Sequence, residues 1–234
     1  MIAFPIAATV VSLAFGLHLL ARFVRRRAPH EGVWAVAMLM FAAASAAFAL
    51  GLLGGWSSGE FRVYWLLGAV LNVPYLAQGE VYLLAPKRWM AAAGLVVLLA
   101  ATVWATVAVC GAPVDGAALA KEFPLGKDVF GDGSGSHRLA QYYGWTGYVL
   151  LVSGAVWSAG RMRRSEALRR RAAGTGLVAL GATIVAIGSG VGAAYGIAPL
   201  FSVALAGGAA VMYWGFLVAV RPATRRVSST ATSG

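Results

Sequence analysis

Apolar residues in this chain come in long blocks, and the polar residues between them come in short bursts. A hydrocarbon core of ~30 Å takes about 20 residues of helix to cross, at 1.5 Å each. Seven blocks meet that length, at 2–23, 33–55, 62–85, 90–110, 140–160, 173–195 and 199–220. Only "GIAP" parts the last two, a turn by its Gly and Pro. The pattern predicts an all-α integral membrane protein, a seven-transmembrane helix bundle over residues 1–222. The first block has no basic residues ahead of it and its arginines follow it, so it is expected to stay as an anchor. "RVSSTATSG" holds too little apolar content to fold, which predicts a disordered cytoplasmic tail at 223–234.

Composition agrees with this reading. Hydrophobic residues make up 60% of the chain, charged residues 12%, and the mean hydropathy is +0.76; soluble domains carry about a quarter charged residues. A net charge of +11 raises the question of nucleic acid, but the basic residues cluster between apolar blocks and do not line one helical face, so no nucleic-acid partner is expected. Their placement reports topology instead. Arg22, Arg25, Arg26 and Arg27, then Lys87 and Arg88, then six arginines in "RMRRSEALRRR", then Arg221, Arg225 and Arg226 all fall on one side, fifteen of the 19. Cytoplasmic loops retain positive charge, which predicts an outside N-terminus, a cytoplasmic C-terminus and a multi-pass protein of the cell membrane surrounded by lipid bilayer. Trp56, Trp65 and Trp145 at outer ends and Trp89 at an inner end are expected as interfacial anchors.

The one sizeable polar loop, at about 111–139, is external by this topology. "DGAALAKEF" predicts a short helix capped by Asp115, followed by a turn at "GDGSGSH". "DVFGDGSGS" lacks the acidic positions of a calcium loop, so Asp128 and Asp132 read as a solvated turn. Cys110 is the single cysteine, and His18, His30 and His137 are scattered over different levels. Neither a disulfide, nor a metal site, nor a cofactor motif is expected. "GSGSH" has no strand-to-helix context and is not a nucleophile elbow.

The blocks divide as three, one and three, with matching punctuation in the two triplets, which suggests a parallel repeat. This division resembles the seven-helix architecture shared by microbial rhodopsins and the SWEET sugar transporters. The seventh block, "PLFSVALAGGAAVMYWGFLV", has no lysine for retinal, and Lys87, Lys121 and Lys127 lie outside the blocks. A covalent retinal protein is thereby excluded. The proline pair expected of a SWEET protein is half present, with Pro5 in the first block and none in the fifth. The chain is also similar to actinobacterial multispan membrane proteins, a resemblance that implies no activity.

Candidate chemistry concentrates in the third block. Tyr64, Gly68, Asn72, Tyr75, Gly79 and Tyr82 recur at three- and four-residue steps, one helical face of small and hydrogen-bonding residues. Pro74 removes a backbone donor and is expected to kink the helix, freeing the carbonyl near Val70. Glu80 is read as the only acidic residue inside a block; a charge there costs at least ~2.5 to 3.5 kcal/mol, so it needs a partner such as Arg22, a proton, or His18 if the first and third helices touch. Gly188, Gly192 and Gly196 at four-residue spacing predict close helix packing, within the bundle or in a homo-oligomer. Tyr213 and Trp214 give the last block an aromatic inner half. The candidate ligand-binding set is Asn72, Tyr75, Gln78, Glu80, His18, Tyr213 and Trp214. The function it predicts is a small-molecule-binding transporter or sensor. The alternatives are a structural or assembly subunit with a membrane-protein partner, and an intramembrane enzyme built on Glu80 and His18.

Overall fold

A computed structural model describes residues 2–162 and 166–220. The side chains of 158, 159, 161–172 and 220 lie outside that description, and with them the arginines of "RMRRSEALRRR" and the tail at 223–234. Every regular element among the described residues is helical: α1 (Ala3–Arg26), α2 (Pro29–Gly54), α3 (Ser58–Val63), a π-helix (Tyr64–Leu71), α4 (Asn72–Leu84), α5 (Arg88–Gly111), α6 (Gly116–Leu119), α7 (Gly126–Phe130), α8 (Gly135–Met162), α9 (Glu166–Tyr195) and α10 (Ala198–Val220). Five helices are long and apolar enough to cross a membrane: α1, α2, α5, α9 from Ala173 onward, and α10. This is an integral membrane protein. The third and fifth blocks are helical too, but the third is divided among α3, the π-helix and α4, and the 28-residue α8 opens on the polar "GSHRLAQYY".

Local chemistry sets the boundaries. Arg27 adopts a left-handed conformation at φ 52° and its N–H bonds Phe23 O at 2.7 Å, closing α1, and Pro29 opens α2 at its first turn. Ser57 and Glu60 form a reciprocal capping box that starts α3 four residues before the apolar block. The proline ring at Pro74 collides with an ordinary α-helical carbonyl four residues earlier. Here the chain widens to π geometry through Leu71, just before the proline.

The helices pack in a ring in which α1 meets α2, α2 meets the π-helix and α4, these meet α8, α8 meets α9, α9 meets α10, and α10 returns to α1. Helix α5 lies outside the ring against α4, the π-helix and α8. The tightest seam joins α9 and α10. Gly174, Gly181 and Gly188 recur every seven residues, and a Cβ on Gly181 would stand 2.6 Å from Gly208 O while one on Gly188 would stand 2.1 Å from the Ala204 Cβ. Backbones touch only because those atoms are missing. Gly192 continues the seam against Phe201, whereas Gly196 is its turn, at φ 66°.

The segment between α5 and α8 folds back on the bundle. Asp115 Oδ1 accepts from the N–H of Ala117 and Ala118 and caps α6, which is shorter than "DGAALAKEF" suggested. A second short helix, α7, lies directly on Trp65. Phe123 and Phe130 join an aromatic cluster with Phe48, Phe61, Trp65 and Phe201. Trp65 is therefore a core residue, 8% exposed and bonded through Nε1 to Ser136 O at 3.1 Å, while Trp89 and Trp145 stay about two-thirds exposed.

Candidate functional site

The polar residues of the third block point in several directions. Tyr64, Gly68 and Asn72 share a face, but along α4 the single face expected from Tyr64 to Tyr82 divides between neighbouring helices. Asn72 Nδ2 donates to Ala37 O on α2 at 2.7 Å. The Tyr75 hydroxyl lies 3.2 Å from Thr102 Oγ1 on α5; Thr102 itself donates to Leu98 O, so Tyr75 is the donor between them. Gln78 Nε2 donates to Ala91 O at 2.7 Å, also on α5. Gly79 lies under Trp34 of α2, whose Nε1 donates to Leu76 O at 3.0 Å. Much of this polarity thus goes into helix-to-helix hydrogen bonds.

Glu80 faces α8, where a Cβ on Gly154 would stand 2.6 Å from its Cγ. Its side chain is buried and Oε1 has no partner among the described residues. His18 is on the other side of the ring, with Nδ1 3.5 Å from the Tyr213 hydroxyl and its ring edge-on to Phe216. The two are not brought together, because α1 packs on α2 and α10 while Glu80 looks toward α8. Trp214 is 63% exposed on the outer surface of α10.

Arg22, expected as a partner for Glu80, is bound to Glu31 instead. Its Nε and Nη2 both reach Glu31 Oε1, at 2.9 and 2.6 Å. Glu31 is 3% exposed, so Glu80 is not the only buried acid. It escaped the sequence reading because it precedes the apolar block, in the first turn of α2.

Two polar residues of the third block, Asn72 and Tyr64, line open space. A cavity of about 560 Å³ lies between α2, the π-helix with α4, α8, α9 and α10, and Asn72 lines it. Its walls are largely apolar. Tyr64 and Gly68 continue the Asn72 wall, and Phe41 and Ser45 face them from α2. Ser45 and Asn72 are 2% and 4% exposed. The Ser45 hydroxyl and Asn72 Oδ1 have no protein partner among the described residues, which leaves a donor-acceptor and an acceptor turned into the cavity.

Buried side chains lie at both ends of the cavity and its side is open. Trp65 and Phe201 lie at one end beneath the aromatic cluster, and Leu151 and Met212, each 2% exposed, lie at the other. Small residues on α8 and α9, among them Ala140, Gly144, Ala186 and Gly190, hold those helices apart along one wall. Trp145 and Ile187 line the same gap and are 67% and 60% exposed, so the cavity reaches the flank of the bundle. Near its Trp65 end the His137 ring stacks on the indole and meets the Gln141 amide at 3.2 Å, with Nδ1 buried and unpartnered.

No charged side chain lines the cavity among the described residues, and its volume suits a small-molecule site, about 300–1,000 Å³. No protein family, curated protein or solved structure matches the chain.

Proposed function

We propose that the chain is a multi-pass protein of the cell membrane that binds a small molecule in the cavity at Asn72, as a transporter or a sensor does. The carrying observation is a cavity of about 560 Å³ that reaches a buried, half-satisfied amide in an otherwise packed bundle. A free acceptor in apolar surroundings costs about 1–3 kcal/mol, and a bound ligand removes that cost. In this reading the π-helix with α4, and α8, are spans three and five, which with the five apolar helices make seven. Basic residues at the α1–α2 and α4–α5 turns put those turns in the cytoplasm and the N-terminus outside. Peripheral α5 is the single span between two triplets, in keeping with a three-plus-one-plus-three division.

The test is a screen of thermal stability for the full chain in detergent against small molecules, run in parallel on Gly144→Leu/Gly190→Leu. A Cβ at either glycine meets nothing within 4 Å, so leucines fill the cavity without displacing backbone. Ligands that raise the midpoint of the wild type and not of the filled variant support the reading. A filled variant that responds to every ligand as the wild type does sinks it.

A further inference from the structure

We propose that the ligand is an uncharged lipid alcohol, a single apolar chain ending in a hydroxyl, which enters from the bilayer between α8 and α9. This rests on the proposed small-molecule site and names its chemistry.

The route follows from what is exposed. Trp145 and Ile187 are exposed where they line the cavity and open it on the flank between α8 and α9, with Gln141 exposed nearer the start of α8. Ile187 lies within the apolar stretch of α9, and Trp145 stands where α8 passes from its polar opening into an apolar run, so the gap extends from the interface toward acyl chains. Gly190 is itself exposed at this gap and also lines the cavity. A molecule using it must be soluble in hydrocarbon.

The head group follows from the polar atoms. Asn72 Oδ1 only accepts, while the Ser45 hydroxyl donates and accepts. A hydroxyl can donate to Asn72 Oδ1, and Ser45 on α2 offers a second donor-acceptor on the wall of the same cavity. Among the described residues a carboxylate or phosphate finds no lysine or arginine on the wall, Arg62 being spent on the carbonyls of Val109, Cys110 and Ala112 and Arg22 on Glu31; the one basic ring there is His137, at the Trp65 end. Burying an unpaired anion beside Asn72 is far costlier than burying a hydrogen-bonded hydroxyl.

The test uses the full chain in phosphatidylcholine nanodiscs with tritiated geranylgeraniol as probe, and geranylgeranyl phosphate and the parent hydrocarbon as competitors. Saturable alcohol binding is expected, with neither competitor displacing it well. Ser45→Ala should weaken it about 5- to 10-fold, the loss of one hydrogen bond, and Gly144→Leu/Gly190→Leu should abolish it. Should that variant fold poorly, Gly190→Cys in a Cys110→Ser chain, modified after folding with a bulky lipid-soluble maleimide, blocks the same gap. Equal competition by the phosphate overturns the uncharged head. Alcohol binding that survives the blocked gap overturns the lateral route. A chain that binds none of the three, yet is stabilised by a water-soluble compound only while the cavity is unfilled, overturns the lipid class and leaves the small-molecule site standing.

Discussion

Arg22 spends two donors on a single oxygen of Glu31, leaving Glu31 Oε2 buried without a partner among the described residues. The pair ties the inner end of α1 to the first turn of α2, and the Arg22 guanidinium lies 5.3 Å over the ring of Phe216 on α10. Three helices meet at one cation. Removing one member of a buried pair strands the other, at about 3–5 kcal/mol, whereas replacing both with apolar groups is often close to neutral.

Arg22→Met alone is therefore expected to lower the thermal midpoint strongly, and Arg22→Met/Glu31→Leu to recover most of the loss. Thermal unfolding of the four chains in detergent checks this. Losses that simply add would show that the two side chains do not act on each other.

A second expectation contrasts two glycines on one helix. A Cβ on Gly192 would lie 2.9 Å from the Phe201 Cβ and 3.0 Å from its backbone nitrogen, while one on Gly190 meets nothing. Two residues along an α-helix turn the side chain through roughly 200°, so the first faces α10 and the second the cavity. Gly192→Leu should prevent recovery of folded protein or cut its midpoint, and Gly190→Leu should leave the midpoint near that of the wild type. Equal midpoints would mean that the α9–α10 seam is looser than its geometry.

Glu60 provides a pH dependence with a definite sign. Its carboxylate accepts the Ser57 N–H at 2.9 Å and the Ser57 hydroxyl at 2.8 Å, and these bonds hold its pKa below the ordinary carboxylate value. A lowered folded-state pKa means stabilisation that is present above the unfolded value and lost as pH falls through the folded one. Glu60→Gln should thus speed amide exchange at Ser57 and Glu60 at neutral pH, and the difference from wild type should vanish in acid. Hydrogen exchange read by mass spectrometry over 55–62 measures it, and a difference that persists in acid would assign the effect to side-chain shape.

The long elements were legible because apolar block length is a direct physical requirement of a bilayer. Their partners were not. "SSGE" carries the capping-box spacing that begins α3, yet the apolar threshold set the start of that block at 62 and passed over it. Glu31 stands two residues before the block that begins at 33, so block length alone does not reveal it as the partner of Arg22. The one-face reading of the third block treats residues three and four apart as sharing one neighbour, but α4 is packed between α2 and α5, so along it Asn72 bonds to α2 and Tyr75 to α5. Glycine spacing signalled close packing at Gly188 and Gly192. It carried no sign of the void beside Gly144 and Gly190, because a missing side chain is filled by a neighbouring helix in one case and by open space in the other.

Glu80 gives the last test. Its Cγ occupies the space that a Cβ on Gly154 would need, so the two positions are coupled through direct contact. Gly154→Ala should destabilise the wild type by about 1–3 kcal/mol through overpacking, and by much less once Glu80→Ala has removed the obstructing atoms. Glu80→Gln keeps the shape and loses only the ability to ionise, so it should leave the cost of Gly154→Ala unchanged. Four midpoints in a double-mutant cycle give the coupling between Gly154→Ala and Glu80→Ala, and the Gln background shows whether charge contributes. A Gly154→Ala cost that survives truncation of Glu80 would place the carboxyl side chain away from α8; one that disappears already in the Gln background would make the charge, and not the contact, the source of the coupling.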